Sequence, residues 1–206
     1  MNLEEITNTK KNLLFIGEND MVEIESYVKD YQNGLFIEAI PYVFAQLEAN
    51  LTKMNNKYNT NYKAINCLVS DQVDKEYTFN IFDNNGASSS IYEPNPEQWQ
   101  WSWVNKIDTI KLKSTTVDII LKEQDWENIK YDLVLDVQGA ELDVLKGCNE
   151  KNMKNIEKIT TEVSTEQFYK GGVLFDELNT FVLNCGFKID IVAPPSNHCD
   201  LTYIRP

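Results

Sequence analysis

Short apolar runs closed by turn residues alternate along this chain with stretches of helical period, and that alternation leaves few folds open. Strands buried on both faces read as continuous hydrophobic runs, and helices between them let consecutive strands lie parallel. Asn12 to Ile16 (NLLFI) predicts a first buried strand, Gly34 to Ala39 (GLFIEA) a second, and Met21 to Tyr31 a helix between them. Pro41 suits a first helical turn, where its missing N–H costs nothing, and Val43, Phe44, Leu47 and Leu51 supply an apolar stripe to about Lys57. A third strand fits Lys63 to Val69 and a fourth Tyr131 to Asp136, with a helix beginning near Ala140. Ile156 to Val163 predicts a fifth strand, Phe175 to Cys185 a helix, and Phe187 to Val192 with Leu201 to Arg205 a closing antiparallel pair. The expected architecture is a three-layer α/β fold on six or seven strands.

The 206 residues, 42% hydrophobic, suffice for one well-buried domain, and no linker or repeat divides them, so the expected domain is 1–206. Residues 71–125 break the alternation with strand-like pieces (YTFNIF, IDTIKLK) and the aromatic stretch YEPNPEQWQWSWV. A connection this long between core strands is usually functional, and it reads as a β-extension that forms a lid. The net charge of −13 disfavours a nucleic-acid partner. Cys67, Cys148, Cys185 and Cys199 form no CxxC or Cys/His cluster, which predicts reduced thiols and neither zinc nor disulfides. No apolar run reaches membrane-spanning length, so a cytoplasmic protein without a membrane partner is expected.

Ligands of open α/β sheets sit beyond the carboxyl ends of the strands, where strand order reverses. Gly17 follows the first strand, and Glu38 ends the second at the roughly 20-residue spacing from which an acid reaches ribose hydroxyls. Asn66 and Cys67 close the third strand, near where an adenine would lie. Asp136 closes the fourth strand and Glu162 the fifth.

The stretches LFIEAIPYVFAQLEANL and LVLDVQGAELDVLKG resemble the two strongest signatures of the FkbM-type methyltransferases. Asp136, Gly139, Ala140, Glu141, Val144, Leu145, Lys146 and Gly147 all match the second of them. SSSI, STTVDIIL, TEVSTEQFYKGG, FDELNTFVLNCGF and the closing NHCDLTYIRP match further segments in order, so the likeness covers nearly the whole chain from about Asn12. At the first motif, FIGENDM, only Gly17 and Asn19 are kept. The resemblance implies a Rossmann-like methyltransferase fold: a mostly parallel seven-stranded sheet with an antiparallel C-terminal strand. It also implies S-adenosylmethionine as cofactor, held by Gly17, Asn19, Glu38, Ala39, Asn66, Cys67, Asp136 and Gln138.

Methyl transfer to a hydroxyl needs an aligned acceptor and a group that takes its proton. Asp136, Glu162 and the lone histidine, His198, in a Pro-rich loop, are the candidates. Asp136 also reads as a cap for the helix after it. Ser88, Ser89, Glu141 and Trp101 are candidate substrate contacts, with a polar turn, a favourable first-turn acid and core packing as their respective alternatives. Tyr92, Trp99, Trp101 and Trp103 read either as an aromatic platform for a sugar or as core, with Trp101 and Trp103 alternating on one strand face. The expected activity is O-methylation of a sugar, glycan or small-metabolite hydroxyl. A nicotinamide-dependent oxidoreductase and a non-catalytic binding module remain the alternatives.

Overall fold

A computed structural model describes residues 11–20, 27–190 and 197–206. Its centre is strand β1 (Lys11–Ile16), flanked by β2 (Tyr31–Glu38) and β7 (Tyr131–Leu135), both parallel to it. Alternate residues of β1 serve opposite faces: Leu14 and Ile16 join one buried cluster, Leu13 and Phe15 another. That two-sided burial is why these strands read as unbroken apolar runs. Helix α1 (Pro41–Tyr58) covers one face with Leu47 and Leu51 and ends on Asn59 in the left-handed conformation. On the other face lie α2 (Val117–Glu123), α3 (Glu141–Lys146) and α5 (Phe175–Asn184), while α4 (Glu150–Met153) leads into β8 (Ile156–Ser164).

With β3 (Asn61–Asn66), β8 (Ile156–Ser164), β9 (Lys188–Ile189) and β10 (His198–Ile204), the main sheet has the order β3-β2-β1-β7-β8-β10-β9. The pairs through β8 are parallel, and β10 runs antiparallel to both neighbours. The chain lays β1, β2 and β3 outward, then returns to the other flank of β1 at β7. Strand order therefore reverses between β1 and β7.

The structure departs from the sequence-based expectations at five places. The predicted helix from Met21 lies partly outside the described residues; residues 27–30 are turns, and Tyr31 already opens β2. The third strand stops at Asn66, whose side chain donates to the carbonyls of Glu38 and Ala39 (2.8 and 3.1 Å). Beyond Cys67, β4 (Leu68–Val69) leaves the main sheet to pair with β6 (Lys106–Thr115), which also pairs with β5 (Glu76–Phe82). This three-stranded sheet is the β-extension, but α2 belongs to the main layer, because Val117, Ile120 and Leu121 lie in the principal core. Trp101 and Trp103 do not share a strand face: their segment is turns and irregular chain, and Trp103 is 71% exposed. Finally, His198 begins β10, opposite Ser164, rather than lying in a loop.

Candidate active site

At the reversal point β1 and β7 are joined beyond their ends. The Asp136 N–H donates to the Ile16 carbonyl at 3.0 Å, and Gly17 turns away with φ +88. A Cβ on Gly17 would stand 1.8 Å from the Asp136 carbonyl oxygen, so only glycine permits this approach. The Gly17 and Glu18 N–H groups both donate to the Ile37 carbonyl, which folds the loop over the end of β2. Asn19, left-handed at φ +59, thereby brings its N–H to Glu38 Oε2 at 3.1 Å, while Glu38 Oε1 accepts from Ile40 N–H at 2.6 Å.

These residues wall a cleft of about 720 Å³, including the space open to solvent. Of the expected cofactor residues, Gly17 and Asn19 line it beyond β1, Glu38 and Ala39 at the end of β2, Cys67 on the β3 flank, and Asp136 and Gln138 on the β7 flank. Asn66 does not line it, since its amide is engaged by the end of β2. Leu68, Val69 and Phe79 give the Cys67 end an apolar lining, and burial pushes the Cys67 thiol up to about 12, which keeps it neutral. The extension roofs the cleft with Gly86, Ala87 and Ser89. It is latched at the rim by Asn85, whose carbonyl accepts from the Asn19 amide and whose own amide donates to Asp20.

On the other side of Gly17 is a chain of polar groups. Gln138 Nε2 donates to Asp136 Oδ1 and Glu162 Oε2, and Glu162 Oε1 lies 2.8 Å from His198 Nε2. The structure thus brings all three candidate proton acceptors together. Asp136 keeps an exposed edge toward the cleft, but burial by the surrounding protein, then the charge of Glu162, push its carboxyl up to about 7. The hydrogen bond that His198 Nε2–H donates to Glu162 raises His198 above its ordinary range, which favours the imidazolium, a proton donor rather than an acceptor. Trp101 packs edge-on to the His198 ring at 5.2 Å and against Phe168 at 4.9 Å.

Glu141 is placed differently from a substrate contact. It is 2% exposed, and its Oε1 accepts from the N–H groups of Val137 and Gly139, so it holds the loop between β7 and α3 in shape. Burial pushes its carboxyl up to about 8. Nor does Asp136 cap α3, whose N-cap is Ala140 with no side-chain hydrogen bond. The serine turn is structural at most positions: Ser88 Oγ accepts from Asn84, Ser89 Oγ from the Phe82 N–H, and Ser90 Oγ donates to the Gln138 carbonyl. Tyr169 escaped the sequence reading; its hydroxyl lies 2.7 Å from Gln138 Oε1 and 2.9 Å from the Ser88 carbonyl, joining extension to loop. The only trace of it was its position in the family-like segment TEVSTEQFYKGG. Among the described residues no group of three His, Cys, Asp or Glu is arranged to hold a metal, and no helix is long and apolar enough to cross a membrane.

Glu38, Asp136 and Glu141 all have folded-state values above their ordinary ones, so the folded protein holds protons that the unfolded chain would release. The contribution of these groups is full below about pH 4 and is lost as the pH rises through 7–8. Thermal denaturation is expected to give a melting temperature that falls from pH 5 to pH 8; a rise over that window would contradict these environments.

The sequence matches the family profile described as the methyltransferase FkbM domain over residues 16–189. The chain belongs to the FkbM methyltransferase family. The fold agrees: methyltransferase FkbM from Methylobacillus flagellatus superposes with TM-score 0.57 at 12% identity, covering 95% of this chain and 43% of that one. The METTL16 methyltransferase domain gives 0.54 at 10% identity, covering 97% and 61%, and a human methyltransferase 10 domain-containing protein 0.51 at 10%, covering 100% and 76%. This FkbM domain thus spans less than half the length of its Methylobacillus relative. No curated protein matches it closely enough to count as a relative.

Proposed function

We propose that this FkbM domain transfers a methyl group from S-adenosylmethionine to a hydroxyl of a sugar, glycan or small metabolite. The observation that carries the reading is the meeting of Gly17, Glu38 and Asp136 around one cleft at the strand-order reversal. The cleft fits the cofactor's chemistry. Each Glu38 oxygen accepts one backbone N–H and keeps a further lone pair for a ribose hydroxyl, and the bare Gly17 leaves room for close backbone approach. The apolar end at Leu68, Val69 and Phe79 suits a flat base. S-adenosylmethionine, when bound, supplies a methyl group activated on a sulfonium.

The chain's own residues then have three tasks. Glu38 anchors the ribose. Asp136 receives the hydroxyl's hydrogen bond and takes its proton. Trp101 and the extension cover the acceptor and exclude water. Turnover assays with sugars and polyols, read by S-adenosylhomocysteine release, are expected to find acceptors among hydroxyl compounds; turnover confined to amines or thiols would overturn O-methylation.

Glu38→Ala is expected to weaken S-adenosylhomocysteine binding by about 1–3 kcal/mol, the loss of its hydrogen bonds to the ribose hydroxyls. It also strips the Asn19 and Ile40 N–H groups of their acceptor, so the melting temperature should drop as well. Calorimetry on the folded variant checks this, and unchanged affinity would take Glu38 out of the site.

A further inference from the structure

Gln138 stands where the acidic arms of the site meet. A side-chain amide has two N–H donors, and Gln138 Nε2 lies 2.5 Å from Asp136 Oδ1 and 2.9 Å from Glu162 Oε2. Both donors are thus engaged by carboxylates carried on different strands. The carbonyl end is held by the Tyr169 hydroxyl at 2.7 Å. The backbone is pinned too: Gln138 is left-handed at φ +54, Gly139 follows at φ +95, and Ser90 Oγ donates to the Gln138 carbonyl at 2.7 Å. A side chain fixed at both ends and at its root, between a proposed proton acceptor and a carboxylate–imidazole pair, is built to aim its neighbours.

We propose that Gln138 is a positioning residue for methyl transfer: its amide ties Asp136 to the Glu162–His198 pair, fixing the carboxylate's direction and screening it from its acidic neighbour. The proposal rests on the reading of Asp136 as the proton acceptor. The charged and titratable groups around Asp136 are Glu162 on β8, His198 and Asp200 on β10, Glu141 on α3, and Tyr169. Of these, only His198 favours the ionised carboxylate, so the Gln138 amide is its chief local support besides that imidazolium. Without it, Asp136 and Glu162 would repel with no donor between them.

The test is the titration of the Asp136 carboxyl carbon, followed by carbon NMR in ligand-free protein. Gln138→Leu is expected to move its midpoint upward by about one pH unit, and Tyr169→Phe to move it the same way by less. Once hydroxyl acceptors are in hand, the acidic limb of the pH–rate profile should move upward by the same amount. Should Gln138→Leu fail to fold, Gln138→Asn keeps the amide and tolerates the left-handed backbone, but is one methylene too short to bridge both carboxylates, and is expected to give the same upward shift. An unmoved midpoint in a folded Gln138 variant would overturn the proposal. Because this readout needs no cofactor, a shifted midpoint in a protein that fails to bind S-adenosylhomocysteine would leave the bridge standing and remove only the methyl-transfer reading.

Discussion

Asp136→Asn is expected to slow methyl transfer roughly 10²–10⁴-fold while moving the melting temperature little. Asn keeps the volume and hydrogen-bonding reach of Asp but cannot take a proton. The backbone N–H of residue 136 still reaches the Ile16 carbonyl, and no helix cap is lost, because the N-cap of α3 is Ala140 and no side chain caps it. The substitution also removes one of two mutually repelling carboxylates, which favours the fold if anything. Single-turnover rates with a hydroxyl acceptor, together with thermal denaturation, measure both sides. A variant that loses stability but keeps its rate would make Asp136 structural and pass the role of base to Glu162.

Gly17→Ala should have the largest effect on the fold of any single methyl group added at the site. The new Cβ would fall 1.8 Å from the Asp136 carbonyl oxygen, and the backbone there, at φ +88, is one that alanine rarely adopts. Backbone strain and overpacking together are expected to cost on the order of 2–6 kcal/mol. Since β1 and β7 are joined through the Asp136 N–H and the Ile16 carbonyl, relief of the clash must shift the backbone at Gly17 or Asp136 and disturb the cleft wall they form. Chemical denaturation reads the stability loss, and cofactor titration reads the displaced loop. A variant as stable as the parent would mean that the two strand ends do not approach as described.

Where residues act through burial, their roles were legible in the sequence. The runs in β1, β2 and β7 are apolar throughout because both faces of a central parallel strand are covered, and their ends placed Gly17, Glu38 and Asp136 around one cleft. The α1 stripe and Pro41 were readable because propensity and burial agree there. What was not legible depends on contacts between distant segments. Cys67 marks a change of sheet, which no local pattern announces, since Leu68 and Val69 are as apolar and buried as the strand before them was expected to be. The tryptophan segment mimics strand alternation, yet Trp99 stacks on Phe82, Trp101 turns to His198, and Trp103 faces solvent. Gln138 reads in the sequence only as a cofactor contact implied by the resemblance, and its place between two carboxylates follows from a left-handed backbone that no local pattern announces. Glu141 reads in the sequence as a substrate contact or a favourable first-turn acid, and only the turn before it draws its carboxylate inward to two backbone N–H groups.

Cofactor binding can be tested before any acceptor is known, by thermal denaturation of the whole chain with S-adenosylmethionine, S-adenosylhomocysteine and NAD in separate samples. A ligand that binds only the folded state at 100 times its Kd adds about 2.7 kcal/mol, which for a chain of this size raises the melting temperature by roughly 5–10 °C. The expected result is a rise of that order with the two sulfur nucleosides and none with NAD. A melting temperature raised by NAD alone, or by none of the three at saturating concentration, would contradict the assignment of the Gly17, Glu38 and Asp136 cleft to S-adenosylmethionine.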